Sequence, residues 1–410
     1  MRTRLVYLGL LCLVCILLSL VVDLFYFPPH LIFPDEDRIL RSATRLAATG
    51  EFWVGSDRAW EMPGTALYFA PAVWLFGSNT AVLPIRIAQS ILLAAQCILI
   101  AITAERLVGK GAAIIAACIV ALYPFFLFYQ GLLLSETLFN TLLLAAIAAL
   151  YCWRERGSRI DIAFAVTCLC FAAATYTKAS LTILPPLLIA ATAWSSGAQL
   201  RRTLAILVAA SCFYGALMGP WWIRNVVVLD AFVPFTTGSA QNLYLGNNPY
   251  NLNAGIDWSS DVDSAVTAKL FALPEVERQR LFGQLAVDYI KDNPAVFLRN
   301  VAKKFVRLWN LLPNTIEFRS GLYSLISIAS FGPLLALALI GAVRGRRHWR
   351  FFTPLFLIIG YFTILHVTTI ASLRYRLPME PILILLAAEP LSAFMKWIHR
   401  NALSAREGGQ

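Results

Sequence analysis

The sequence predicts an all-α polytopic membrane protein, a bundle of about ten transmembrane helices with two long loops on the outer side. Three observations lead there. Apolar residues make up 59% of the 410-residue chain and charged residues 14%, against roughly 45–50% and about 25% in soluble domains. The apolar residues fall in runs close to the roughly 20 needed to cross a bilayer. The basic residues sit in short clusters between those runs, as the flanks of membrane helices do. In a soluble protein a net charge of +11 would point first to nucleic acid. With the charge distributed in this way, a nucleic-acid partner is excluded.

Ten segments qualify as spans: 5–23, 84–105, 111–129, 135–153, 160–176, 180–195, 203–219, 322–343, 351–370 and 379–397. The basic start and apolar run to Val22 resemble a signal peptide, but no small-residue cleavage site precedes Pro28. A retained first helix is therefore expected. With the N-terminus inside, every cytoplasmic turn is basic: Arg2/Arg4, Arg106/Lys110, Arg154/Arg156/Arg159, Arg201/Arg202, Arg344/Arg346/Arg347/Arg350 and Lys396/Arg400. The positive-inside rule asks for this pattern, and an odd number of spans would break it.

The outside then receives residues 24–83, which carry Asp35, Glu36, Asp37, Glu51, Asp57 and Glu61, and residues 220–321, which are polar and rich in Asn and Gly. Gly64–Phe76 is too short to span and predicts a helix at the outer surface. A helix over 293–310 is expected to place Phe297, Val301, Phe305 and Leu308 on one face and Arg299, Lys303 and Arg307 opposite. That pattern suits an interfacial helix or one packed on the rest of its loop. Residues 1–403 read as a single transmembrane domain, and 404–410 as a disordered tail. The eight cysteines lie in or at the ends of apolar stretches and read as small buried hydrophobes. The four histidines show no metal-ligand spacing, so no metal or other cofactor is expected.

Polar residues inside the apolar framework collect at its outer end: Glu136, Lys178, Arg224, Asn225, Arg374 and Arg376, facing the acidic first loop. A transporter is expected to hold its site near the midplane, on broken helices of related halves. A rim site favours an enzyme whose substrates meet at the membrane surface. In Pro34-Asp35-Glu36-Asp37, helical spacing puts Asp35 and Glu36 on the inward face with Ile39, and pairs Asp37 with Arg41 as an exposed ion pair. Asp35 alone would read as a helix N-cap. Three consecutive acids exceed that need, and one of the inward two could serve as a general base. Trp221-Trp222-Ile223-Arg224-Asn225 and Arg374-Tyr375-Arg376-Leu377-Pro378 lie at span ends, with Lys178 in an outer turn. Trp and Arg there are common anchors, but several cations beside several acids on one rim fit a phosphate, whose oxygens match the guanidinium fork.

With these residues in view, the chain resembles the GT-C glycosyltransferases. The branch is that of protein O-mannosyltransferases and aminoarabinose transferases, with bacterial lipopolysaccharide galacturonosyltransferase-like members. The resemblance covers about residues 20–395. Its parts occur in the family's order: Pro34-Asp35-Glu36; Pro63 through Phe76-Gly77; Leu134-Ser135-Glu136-Thr137; Tyr176-Thr177-Lys178; Pro220 through Asn225; Asn242-Leu243-Tyr244-Leu245-Gly246-Asn247-Asn248-Pro249; and Arg374 through Pro378. It implies inverting transfer of a sugar from a polyprenyl-phosphate donor to a hydroxyl of a lipid, glycan or protein acceptor. No nucleotide takes part, and the reaction sits at the outer face of a bacterial cytoplasmic (inner) membrane. The role of activating or placing the acceptor hydroxyl falls to Asp35, with Glu36 beside it. Lys178, Arg224, Arg374 and Arg376 are candidates for the donor phosphate, with Arg376 ahead of Arg374. Glu61, Glu136, Asn225, Asn247 and Asn248 are candidates for the rest of the cavity. One departure stands out: the aminoarabinose transferases have Glu-Lys-Pro after the first loop, where this chain has Glu61-Met62-Pro63. A phosphate contact from that lysine is missing, and Lys178 or an arginine is expected to replace it. The competing readings are a flippase for polyprenyl-linked sugars, which would need a midplane charge and repeated halves, and a noncatalytic envelope scaffold.

Overall fold

The structure is a computed structural model that describes residues 2–28, 30–255, 257–314 and 318–407. Its membrane framework begins with α1 (Arg2–Phe25). The segment expected on the outer side between the first two spans, here termed the first outer segment, contributes α2 (Pro34–Thr49) and α3 (Gly64–Phe76). The chain then runs through α4 (Val82–Leu107), α5 (Lys110–Leu122), α6 (Pro124–Gln130), α7 (Glu136–Glu155), α8 (Ile162–Thr177), α9 (Leu184–Ser195) and α10 (Leu200–Leu229). The other segment expected on the outer side, here termed the second outer segment, folds into α11 (Gly238–Gly246), α12 (Ser264–Phe271), α13 (Glu275–Asp292) and α14 (Pro294–Trp309). The chain closes with α15 (Gly321–Arg344), α16 (Trp349–Thr368), the short α17 (Leu373–Arg376) and α18 (Glu380–Glu407).

Each of the ten expected spans coincides with one of these helices or with a bent pair. Among the described residues, six helical stretches are long and apolar enough to cross a membrane, one of them the 48-residue stretch that contains α15 and α16. The helices α5 and α6 pass together as a span bent by 53°. Pro124 at the first position of α6 accounts for the break, since proline cannot donate to the preceding turn. The apolar helices α8 and α9 are shorter and are joined by a 3-10 turn, Ala179–Leu181. Lipid-facing side chains stay apolar: Leu10, Leu13, Leu17 and Val21 of α1 are all exposed. Inside, α5 buries Ala112, Ala113, Ala116 and Ala117 against α4 and α18, and such small residues let membrane helices approach closely.

Backbone contacts join the two outer segments. The Glu275 carboxylate accepts from the backbone N–H of Arg58 (2.6 Å) and of Ala59 (2.9 Å) and from the Thr237 hydroxyl (2.6 Å). The Thr237 N–H reaches Ala59 O at 2.8 Å and the Gly238 N–H reaches Trp60 O at 3.2 Å. A Cβ at Gly238 would lie 2.7 Å from Trp60 O, so only glycine allows this approach. The ion pair Arg278–Asp57 at 2.5 Å completes the clamp.

Two elements differ from expectation. Helix α14 forms as expected but is turned: Asn300, Lys304 and Leu308 are buried while Leu298, Phe305 and Val306 are exposed. Lys304 donates to Asn247 Oδ1 at 3.3 Å, and this inward polar contact, absent from an apolar-stripe reading, sets the rotation. At the C-terminus α18 continues as helix through Glu407. The rest of the expected disordered tail, 408–410, lies outside the described residues.

Candidate active site

Asp35 stands in the first turn of α2, together with Glu36 and Asp37, where acidic side chains favour the helix dipole. The helix is capped elsewhere: Phe33 is the N-cap, and Glu36 reaches back to accept from the N–H of Ile32 and Phe33, both at 2.9 Å. Asp35, relieved of a capping duty, turns inward. Its Oδ1 accepts from Arg38 Nη1 at 2.7 Å and its Oδ2 from Arg374 Nη1 at 2.6 Å.

Arg374, in α17 just beyond α16, carries the network deeper. Its Nε donates to Glu136 Oε1 at 2.5 Å, and Lys178 Nζ donates to the same oxygen at 2.7 Å. Glu136 begins α7, again at the positive end of a helix dipole, and is 1% exposed. Lys178 closes α8, so the break between α8 and α9 sets its ammonium at the cavity wall. On the other side, Arg38 Nη2 lies 3.4 Å from Glu61 Oε2, in the loop clamped by the second outer segment.

These groups surround a cavity of about 580 Å³ lined by Asp35, Arg38, Glu61, Lys178 and Arg374. Its remaining wall is aromatic and hydroxylic, with Trp60, Trp258, Tyr375, Ser135, Ser180, Thr182, Ser239 and Ser372, alongside Asn242 and His366. His366 stacks on Tyr375 at 4.7 Å between ring centroids and on Phe362 at 6.2 Å. Burial raises the proton affinity of Asp35, but the guanidiniums of Arg374 and Arg38 outweigh it and hold the carboxyl below its usual range. Glu61 moves the other way: burial dominates, Arg38 only partly offsets it, and the Asp35 charge adds to the rise. Burial disfavours the Arg374 cation, but Glu136 and Asp35 more than compensate and keep it firmly protonated.

Of the residues singled out in the sequence, the structure brings together Asp35, Glu61, Glu136, Lys178 and Arg374. It places six elsewhere. Glu36 is fully buried, its second oxygen accepting from Leu133 N at 2.9 Å, so its carboxylate is consumed by backbone N–H groups. Arg376 is fully buried, pairs with Glu380 at 2.7 Å and donates to Asn310 O at 2.8 Å, over the Phe331 ring. The order expected for the two arginines is thereby reversed, because α17 turns Arg374 outward to the cavity and Arg376 into the bundle. Arg224 donates to the carbonyls of Arg58 (2.6 Å) and Phe52 (2.7 Å), fastening α10 to the first outer segment. Asn225 donates to Val233 O at 2.8 Å. Asn247 donates to Leu243 O and Thr368 O, both at 2.9 Å, and Asn248 to Tyr244 O, Leu245 O and Asp261 O. These amides hold the turn after α11. Asp37 and Arg41 pair at the surface as expected.

Sequence reasoning missed Arg38 and His366. Arg38 stands three residues after Asp35 and shares its face, a signal the helical spacing already contained. His366 was weighed only as a metal ligand, although it lies at the outer end of a span, eight positions before Arg374.

No protein-family model and no curated protein matches the chain by sequence. Solved structures do. The archaeal oligosaccharyltransferase AglB from Archaeoglobus fulgidus, in complex with an inhibitory peptide and a dolichol-phosphate, aligns with a TM-score of 0.61 at 14% identity, over 99% of this chain and 52% of that one. The same enzyme tethered to an acceptor peptide with the NVT sequon aligns with a TM-score of 0.60 at 12% identity, over 97% and 50%. ArnT from Cupriavidus metallidurans bound to undecaprenyl phosphate gives 0.45 at 16% identity, over 95% and 78%. The chain thus spans about half the length of the oligosaccharyltransferase structures it matches. Its fold is that of the GT-C glycosyltransferases, in a multi-pass membrane protein.

Proposed function

We propose that the chain transfers a sugar from a polyprenyl-phosphate donor to a hydroxyl group of a lipid, glycan or protein at the outer face of the cytoplasmic membrane. Transfer inverts the anomeric centre and uses no nucleotide. The observation that carries this reading is the chain of contacts Asp35–Arg374–Glu136–Lys178, in which Asp35, Arg374 and Lys178 line the cavity and Glu136 holds the two cations from behind. Arg374 uses Nε and Nη1 in it and Lys178 a single N–H, so that among the described residues Arg374 Nη2 and two ammonium hydrogens remain for a ligand. A departing phosphate gains negative charge as its bond to the sugar breaks, and fixed donors aimed at that charge stabilise the transition state. Two carboxylates of the cavity wall, Asp35 and Glu61, stand where an acceptor hydroxyl would enter. The dolichol-phosphate in the AglB structure is a lipid of the proposed donor class, and the basic turns at Arg202 and Arg347 support an outward-facing site.

The test is transfer in proteoliposomes supplied with polyprenyl-phosphate hexoses, followed by free polyprenyl phosphate and new glycoside together. A protein that moves the intact donor across the bilayer without cleaving it would be a flippase instead.

A further inference from the structure

We propose that Glu61 is the group that takes the proton from the acceptor hydroxyl, and that Asp35 is a positioning residue that holds this hydroxyl and Arg374. This rests on the transfer reading above and assigns the two cavity carboxylates different tasks.

The geometry separates them. Both oxygens of Asp35 are engaged by guanidiniums, at 2.7 and 2.6 Å. Each such contact stabilises the ionised form, so proton transfer to Asp35 would have to break two close charge pairs. Glu61 has one long contact, 3.4 Å to Arg38 Nη2 through Oε2, and Oε1 accepts no hydrogen bond among the described residues. That oxygen belongs to a residue of the cavity wall. Its position is held: the backbone before it is bound by Glu275, Thr237 and Gly238 through residues 58–60, and Pro63 and Gly64 follow it into α3. Arg38 lies between the two acids, touching each with a different nitrogen, so a hydroxyl placed by Asp35 is within the reach of one guanidinium from Glu61.

The charged groups that act on Glu61 are Arg38 and Asp35 from α2 and Arg374 from α17; Lys178, His366 and Tyr375 are the other titratable groups of the cavity wall. Burial and Asp35 outweigh the two arginines and raise Glu61 above the usual glutamate range, while Asp35 is held below its own. A general base gains from proton affinity closer to the working pH, which favours Glu61.

In the step itself, the acceptor oxygen bonds to the anomeric carbon. The bond from that carbon to the phosphate oxygen breaks, its electron pair going to the phosphate beside Arg374 and Lys178. The hydroxyl proton passes to a Glu61 oxygen. The products are the glycoside, polyprenyl phosphate and protonated Glu61, which then returns the proton to water.

The test is the pH profile of kcat for the full chain in proteoliposomes, with synthetic polyprenyl-phosphate hexoses as donors, bacterial envelope glycolipid as acceptor and free polyprenyl phosphate as readout. Wild type should lose activity as pH falls through a value above the ordinary glutamate range. E61Q should turn over roughly 10²–10⁴-fold more slowly and show no acidic limb. D35N should be slowed yet keep that limb. If E61Q does not accumulate in membranes, E61D decides, because its limb should shift when the carboxylate is withdrawn. E61Q within about threefold of wild type, an acidic limb lost in D35N but kept in E61Q, or an E61D midpoint identical to wild type would each overturn the assignment. Wild type that binds these donors and releases no polyprenyl phosphate would overturn the transfer reading and this inference with it.

Discussion

Arg374→Gln tests the central network. Arg374 makes two charge-assisted contacts, 2.5 Å to Glu136 and 2.6 Å to Asp35, and Glu136 is 1% exposed. Removing one partner of a buried pair costs roughly 3–5 kcal/mol, because the other charge is left without compensation. Two features lower the figure here. Lys178 still holds Glu136 at 2.7 Å, and the Arg374 side chain is 25% exposed to the cavity. The expected loss is therefore about 2–3 kcal/mol, together with a fall in turnover of roughly 10²–10³-fold from the missing phosphate donor. Adding Glu136→Gln separates the two effects. The double variant should lose less stability than the two single losses added together, because the Arg374–Glu136 contact is removed only once, while turnover stays low. Denaturation in detergent and polyprenyl phosphate release, measured on the same preparations, give both quantities. If the two substitutions are additive in stability, the groups are uncoupled and the network argument fails. Near-normal turnover in Arg374→Gln would remove this arginine from the site.

Glu36→Gln should lower stability by roughly 1–3 kcal/mol, because one of its oxygens now faces a backbone N–H with a donor, and leave turnover of the folded protein intact; the opposite pattern would return Glu36 to the chemistry. Arg376→Ala should reduce the folded fraction by stranding Glu380, whereas the double change Arg376→Met with Glu380→Met should restore it with near-normal turnover; low turnover in that variant would show that Arg376 reaches the substrate. Lys304 has its proton affinity pushed down to about 8 by burial, from 10.5. The unfolded chain thus binds more protons between those values, so stability should rise with pH across that window, and the cost is complete below 8. Lys304→Met should stabilise the protein at pH 7 by about 3 kcal/mol less about 1 for the lost contact to Asn247; melting at pH 7 and pH 10.5 checks this, and an equal gain at both would refute it. Reporter fusions at Arg202 and Arg347 should read as cytoplasmic and fusions near Gly255 as external, and a cytoplasmic signal at Gly255 would break the two halves of the cavity apart.

Much of this was legible in the chain. The ten apolar segments appear as helices or a bent pair, most within a few residues of the expected bounds and two, α10 and α18, running about ten residues further, because the length of an apolar run and the prolines and glycines at its ends are local properties. Asp35 was legible as an inward acid from helical spacing alone. Glu136, Lys178 and Arg374 were legible as polar residues at the outer ends of apolar runs, where no lipid-facing role explains them. Arg376 and Glu36 mark the limit: each lies one or two residues from a cavity residue and shares its composition and motif. Nothing in the residue order tells which of two neighbouring arginines meets a phosphate and which meets Glu380.

The sequence by itself therefore determined the class of molecule and the ends of the apolar runs at which charge collects, since bilayer thickness acts on each segment separately. Only the tertiary structure decided the membership of the site. Which carboxylate is spent on backbone N–H groups, which is pinned by two guanidiniums and which keeps an oxygen free depends on the rotation of α2 and α17 and on the clamp between the two outer segments. Those are set by contacts such as Glu275 with Arg58 and Arg374 with Glu136, between residues 217 and 238 positions apart, a separation over which local propensity carries no information.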